Sequence, residues 1–157
     1  SVLPSSEARI ILESLNKENA KKIQSIIGKQ EEKVINYTTR KFLKFSPQTT
    51  VEYVQNDYPR HARDKDVIMY IYVVDDLDVL VGVIDLKELL QADDRALLKD
   101  IMIENVISLN TDSTLKEASQ SFARYDFRAL PVTDEKNRLV GVIPYRDVMN
   151  LTHHFLE

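Results

Sequence analysis

Leu80-Val81-Gly82-Val83-Ile84 returns almost letter for letter as Leu139-Val140-Gly141-Val142-Ile143, and this repetition decides how the chain is read. Branched apolar residues around one glycine spell a buried strand, and a strand that occurs twice marks an internal repeat. Each copy is preceded by a strand that ends in a polar turn, Tyr70-Ile71-Tyr72-Val73-Val74-Asp75-Asp76 in the first and Arg128-Ala129-Leu130-Pro131-Val132-Thr133-Asp134 in the second. Each is followed by a helix predicted to begin near Leu86 or Tyr145. Further upstream, Phe42-Leu43-Lys44-Phe45-Ser46-Pro47-Gln48-Thr49-Thr50-Val51 is matched by Val106-Ile107-Ser108-Leu109-Asn110-Thr111-Asp112-Ser113-Thr114-Leu115. Both read as a short strand, a polar turn, and a threonine, Thr50 or Thr114, placed to cap an apolar helix. The order per copy is strand, helix, strand, strand, helix. A unit this small leaves one apolar face of its sheet bare, so the two copies are expected to pack sheet against sheet in a single α+β fold.

The 157 residues suffice for one core of ordinary size or for two small subdomains that share an interface. With 43% hydrophobic and 29% charged residues, the chain lies well inside the folded range. The absence of cysteine excludes a disulfide framework, thiolate metal ligation and a thiol nucleophile, and fits a reducing cytosol. No apolar run approaches the roughly 20 residues that cross a bilayer, and the start of the chain lacks the layout of a signal peptide. A net charge of −4, without a basic stripe interleaved with aromatics, argues against a nucleic-acid partner. No pairing of nucleophile with base is found, so an enzyme is not expected. A chain that starts with Ser1 is read as a piece of something longer.

Ahead of the repeat, Ala8, Ile11, Leu12, Leu15, Ala20, Ile23, Ile26 and Ile27 are spaced as one face of a helix or of two short ones. Leu3-Pro4-Ser5-Ser6-Glu7 opens it, Asn16 offers a second cap and Gly28 a stop. This arm is too small to hold a core, so it is expected to pack on the repeats or on a partner chain. The resulting division is a helical arm over residues 1–37, a first copy over 38–103 and a second over 104–157.

The Leu130-Pro131-Val132-Thr133-Asp134 run, the Gly-Val-Ile steps at Gly82 and Gly141, and Arg146-Asp147-Val148 together resemble a tandem pair of cystathionine-β-synthase-type (CBS) motifs, a Bateman module. That resemblance implies a disc-like homodimer and a central cleft that often takes adenine nucleotides. A narrower likeness is to the cytosolic region of MgtE-type magnesium transporters. It rests on Leu3-Pro4 followed by Glu7-Ala8, on Thr38-Thr39, on Tyr72-Val73-Val74-Asp75-Asp76, and on Ala123-Arg124-Tyr125-Asp126-Phe127 ahead of Leu130-Pro131-Val132. It implies a regulatory domain linked to a transmembrane channel domain, in which magnesium between acidic residues closes the channel. The arm is much shorter than that family's helical N domain, and the Glu-Asp-Thr-Ala-Gly-Arg signature is not found around Glu31 to Arg40. A free-standing adaptor that dimerises and binds an adenine nucleotide is the alternative, and duplication for stability alone is a third reading.

Nucleotide-binding CBS motifs set a hydroxyl and a carboxylate at the start of the last helix, where helix amides face phosphate. Here the first copy reads Gly82-Val83-Ile84-Asp85-Leu86-Lys87-Glu88 and the second Gly141-Val142-Ile143-Pro144-Tyr145-Arg146-Asp147, so the hydroxyl is lost from both and Pro144 also removes an amide. Thr111, Arg128, Arg146 and Asp147 remain as the expected nucleotide contacts. Magnesium asks for oxygen ligands from one or two carboxylates, completed by water. The expected contributors are Glu31, Glu32, Asp93, Asp94 and Asp147, acting weakly and collectively between the arm, the repeats and a second chain. His153-His154 reads as an exposed tail, and Tyr125-Asp126-Phe127 as a helix end that packs.

Overall fold

The computed structural model describes residues 6 to 156. The Leu3-Pro4-Ser5 opening and the side chains of Leu12, Ile26, His153 and His154 lie outside the described residues. Helix α1 (Ser6–Gln30) is followed by a turn of 3₁₀ helix (Val34–Tyr37) and then by the first copy. That copy comprises β1 (Phe42–Phe45), α2 (Val51–Asn56), α3 (Tyr58–Ala62), β2 (Val67–Val74), β3 (Leu80–Asp85), α4 (Leu86–Gln91) and α5 (Leu98–Ile101). The second comprises β4 (Leu109–Asn110), α6 (Leu115–Tyr125), β5 (Ala129–Thr133), β6 (Leu139–Pro144) and α7 (Tyr145–Leu156). Each sheet has three strands in sequence order, the first pair parallel and the second antiparallel. The expected α+β repeat is therefore present in both halves.

Local chemistry explains the element ends. Thr50 accepts a hydrogen bond from the Tyr53 amide at 3.1 Å and Thr114 from the Glu117 amide at 3.2 Å, so both caps form as anticipated. The hairpin turns also repeat. Asp75 Oδ1 accepts from the amides of Leu77 and Val79, Asp134 Oδ1 from those of Lys136 and Arg138, and the left-handed positions Asp78 and Asn137 close the two turns. Asp126 ends α6 at a φ of 51°, with Tyr125 and Phe127 stacked at 5.8 Å behind it. The arm departs from expectation in one respect. Of the two forms expected it takes the first, one helix unbroken through Asn16; the departure is at Gly28, which it runs past because a glycine stop needs positive φ and no described glycine has it. Ile10, Ile11, Leu15, Ile23 and Ile27 remain exposed along it.

Three apolar clusters make up the core. Leu43, Val51, Ile71, Ile84, Leu89 and Leu98 lie between the first sheet and its helices. Leu115, Phe122, Leu130, Val132, Ile143 and Val148 do the same for the second, joined by Val34 from the 3₁₀ turn. Between the sheets, Phe42, Tyr72, Val74 and Leu80 meet Ala129, Leu139 and Val142, which is the expected sheet-to-sheet burial. Each large aliphatic side chain withdrawn from water contributes about 1.5–3 kcal/mol.

An exchange of edges ties the halves together. Thr39, ahead of β1, bridges Val142 on the outer strand of the other sheet, with N···O distances of 2.8 and 3.0 Å. Ile103, ahead of β4, bridges Val83 in the same way at 2.9 and 3.0 Å. The Leu80 amide donates to Asn137 O and the Leu139 amide to Asp78 O, both at 2.9 Å. These reciprocal bonds relate the copies by an approximate two-fold axis. The glycines belong to the same device. A Cβ on Gly82 would lie 2.7 Å from Met102 Cγ and 2.9 Å from its Cβ, and one on Gly141 would lie 2.9 Å from Thr38 Cβ and 2.8 Å from its Oγ1. Gly141→Ala is expected to cost about 1–3 kcal/mol in urea unfolding. Gly82→Ala should cost less, since Met102 is unbranched and can swing aside. A Gly141→Ala protein that unfolds at the wild-type midpoint would remove the close approach from the account.

Candidate ligand site between the repeats

The two copies of the interface are not filled alike. Where the first strand begins with Phe42, the ring is buried against Tyr72, with ring centroids 5.8 Å apart and edge to face, in the same cluster as Ala129 and Val142. Where the second copy has Val106, the smaller side chain leaves a cleft of about 100 Å³. Tyr70, Tyr72 and Val83 wall it from the first copy, and Val106, Phe127 and Pro131 from the second. Two hydroxyls reach this apolar wall. Tyr70 Oη accepts from the Arg128 amide at 3.2 Å, whereas Tyr72 Oη is buried without a hydrogen-bond partner. Burial pushes the Tyr72 phenol far above its ordinary value, so it stays a neutral donor throughout the physiological range. An apolar, aromatic-walled slot of this kind suits a flat apolar group.

A second hollow, of about 230 Å³, opens beyond the ends of β5 and β6 and is lined by Asp66, Met69, Arg128, Pro144, Tyr145 and Arg146. It brings Arg128 and Arg146 together, two of the residues expected to contact a nucleotide. Asp147 lies next to them in the first turn of α7, but neighbours in sequence on a helix point apart. Thr111 is elsewhere: its amide donates to Thr133 O at the far end of β5, four residues and about 13 Å along the strand from Ala129. The helix starts are also occupied from within. Asp85 caps α4 by accepting from the Lys87 amide at 2.8 Å, and the Tyr145 amide donates to Arg128 O at 2.8 Å.

The fold agrees with what comparison with known proteins finds. A CBS domain family model matches residues 98–154. The magnesium transporter MgtE of Thermus thermophilus is 35% identical over 129 residues, 82% of this chain and 29% of that protein. The MgtE of Enterococcus faecalis is 32% identical over 85% of this chain and 30% of its own length. A crystal structure of the cytosolic domain of the Mg²⁺ channel MgtE in complex with ATP superposes with a TM-score of 0.74 at 34% identity, covering 83% of this chain and 53% of that one. The chain is a tandem CBS module homologous to the cytosolic region of MgtE. The soluble part of a magnesium transporter matches likewise, with a TM-score of 0.75 and 31% identity over 97% of this CBS pair and 59% of that chain. The module thus spans under a third of the length of these curated relatives.

In the CBS module the carboxylates expected to serve magnesium sit on separate elements. Glu31 is exposed just beyond α1, and Glu32 accepts from the Tyr37 hydroxyl and lies 3.5 Å from Lys29 Nζ. The Tyr37 hydrogen bond, helped by Lys29, holds the Glu32 carboxyl below its usual range. Asp93, ahead of α5, accepts from the Arg95 amide at 2.9 Å, which lowers its carboxyl in the same way, and exposed Asp94 accepts from the Glu52 amide through its backbone carbonyl. Among the described residues no three acidic or histidine side chains gather into a metal cage. The cleft residues Tyr70, Tyr72, Val106 and Phe127 were missed by motif reasoning. The signals that could have found them were a polar ring amid Ile71, Val73 and Val74, and the exchange of Phe42 for Val106 at matched positions.

Tyr72→Phe removes a donor that has no partner, so it is expected to raise stability by about 1 kcal/mol in urea titration. A loss of that size would mean the hydroxyl is satisfied. The ionised Glu32 favours the folded state fully above about pH 4.5, and this contribution is lost as pH falls through the lowered folded value. Tyr37→Phe should therefore unfold less steeply with acid below that pH than the wild type. Identical acid profiles would show that the hydrogen bond carries no such weight.

Proposed function

We propose that this chain is a regulatory domain of an MgtE-like magnesium transporter, placed at the cytosolic face of a membrane and joined to a channel domain outside the sequence described. It pairs with a second copy through its CBS motifs, with residues 1–37 as the arm, 38–103 as the first motif and 104–157 as the second. Its task is binding and shape change, and no catalysis is assigned to it. Homology to MgtE proteins over more than four-fifths of the chain, combined with the two-fold CBS architecture, is the observation that carries this reading.

Magnesium would act by neutralising carboxylates on neighbouring elements and chains, drawing on Glu31, Glu32, Asp93, Asp94 and Asp147. The absence of a cage among the described residues of one chain supports shared, weak sites over a single tight one. The Glu32–Tyr37 and Asp93–Arg95 hydrogen bonds each draw on a carboxylate oxygen that a cation would share, which favours modest affinity.

A second reading, a nucleotide-binding adaptor, is favoured by one feature: the aromatic cleft with the unpaired Tyr72 hydroxyl. A relative at 34% identity is known in complex with ATP, which supports placing an adenine ring there. Arg128 and Arg146 in the neighbouring hollow would then meet phosphate, and Asp147 and Thr111 would lie to the side.

Thermal melting separates the two ligands, because a ligand that prefers the folded form raises the midpoint. Magnesium at about ten times its Kd is expected to add about 1.4 kcal/mol, or roughly 3–5 °C for a domain of this size. A shift no larger than that from sodium chloride of matched ionic strength would end the magnesium reading. A shift with ATP or AMP that Tyr72→Phe diminishes would support the cleft instead.

A further inference from the structure

Along the free edge of the first sheet, β1 and α3 border an open hollow of about 500 Å³ lined by Arg40, Lys44, Phe45, Arg60, His61 and Lys65, together with Phe42 and Leu43. Its charge is all of one sign. Four permanent cations and an imidazole line it and no described lining residue is acidic, in a chain whose net charge is −4. Two carboxylates flank Lys65 in sequence: Asp64 is exposed and is not among the lining residues, and Asp66 accepts from Thr39 Oγ1 at 2.5 Å and lines the hollow beside Arg128. Lys44 meets Asp78 at 3.3 Å and Arg60 meets Asp57 at 3.9 Å, both exposed pairs that a competing anion can replace at little cost. Arg40 and Lys65 make no ion pair among the described residues.

The floor is unusual too. The His61 ring stands edge-on to Phe45 at 5.1 Å and 5.2 Å from Tyr53, and its Nε2 is buried without a hydrogen-bond partner. With its proton on Nε2, the imidazole lacks an acceptor that an anion entering the hollow can supply. Guanidinium forks and ammonium groups together match phosphoryl oxygens, and four such cations around a hollow of about 500 Å³ offer more donors and more charge than a single phosphate engages.

We propose that this hollow is an anion site for a small oligophosphate of two or more phosphoryl groups, held by Arg40, Lys44, Arg60 and Lys65 with His61 at its base. The site lies apart from the aromatic cleft, and its occupation does not depend on magnesium or on an adenine ring.

The test titrates inorganic tripolyphosphate, and ATP in parallel, into the full chain at low salt with EDTA, following the His61 ring protons by NMR after assigning them with His61→Gln. A saturable shift of that resonance is expected, weaker as salt is raised. Arg40→Ala combined with Lys65→Ala should reduce affinity at least about tenfold, while circular dichroism and the melting midpoint stay at wild-type values, since both residues are exposed. A His61 shift with tripolyphosphate alone supports an inorganic source, and a shift with both supports the tail of a nucleotide. No saturable shift with either, or unchanged affinity in the double variant, overturns the proposal. Melting shifts from ATP that leave His61 unmoved belong to the cleft, so failure here is separable from failure of the nucleotide reading above.

Discussion

The structure depends on a close approach. Two segments, one leading into β1 and one into β4, press the side chains of Thr38 and Met102 so near an outer strand that a Cβ beneath them would clash, and Gly141 and Gly82 supply the gap. Thr38 and Met102 occupy matching positions above those glycines, and Thr39 and Ile103 close the hydrogen bonds beside them. Thr39 leads into β1 and pairs with β6, while Ile103 leads into β4 and pairs with β3, so the two halves cannot separate without breaking backbone hydrogen bonds beside both outer strands. The exchange therefore joins the sheet-to-sheet core to backbone hydrogen bonding, and unfolding of one half exposes the edge of the other.

Within this near symmetry, function enters where the halves differ. Phe42 fills the interface beside Tyr72, and Val106 leaves it open, so a two-fold frame carries one aromatic cleft. Asp85 caps α4 with its own carboxylate, while Pro144 hands over to α7 without one. α6 is continuous over eleven residues, whereas its counterpart is broken at Asp57 ahead of Pro59 into α2 and α3, and that break sets Arg60 and His61 over the free side of β1. Each difference of one or two residues produces a different surface chemistry on an unchanged scaffold. That is how a duplicated fold acquires distinct sites without losing the packing that both copies need.

The repeat itself was legible in the sequence because strand pattern, turn chemistry and helix caps all pointed the same way, from Thr50 and Thr114 to the Asp75 and Asp134 turns. The length of α1 was not, since Asn16 and Gly28 are weak signals when neither takes a capping geometry. The sites were less legible still. Motif matching directed attention to the helix starts, where Arg128 and Arg146 do meet, but the cleft is defined by volume, and the loss of a phenyl ring between Phe42 and Val106 carries no motif. Thr111 failed to join Arg128 for a topological reason: parallel pairing of β4 with the end of β5 puts them at opposite ends of the sheet.

A sensor needs a ligand that contacts two geometries unequally. The cleft meets that condition by construction, since Val83 and Val106 line it from different halves, and Val83 also holds Ile103 through the exchanged edge. On the function proposed above, a ligand that wedged these walls apart would strain the hydrogen bonds that hold the repeats together. The acidic groups obey a different logic. Glu31 and Glu32 follow α1, Asp93 and Asp94 lie between α4 and α5, and Asp147 is on α7, so neutralising them changes how elements repel one another and leaves each element's own fold intact. On the same proposed function, small-molecule binding would act on the seam between the repeats and cation binding on the approach of the arm and of a second chain, because the cleft and the carboxylates lie on different elements.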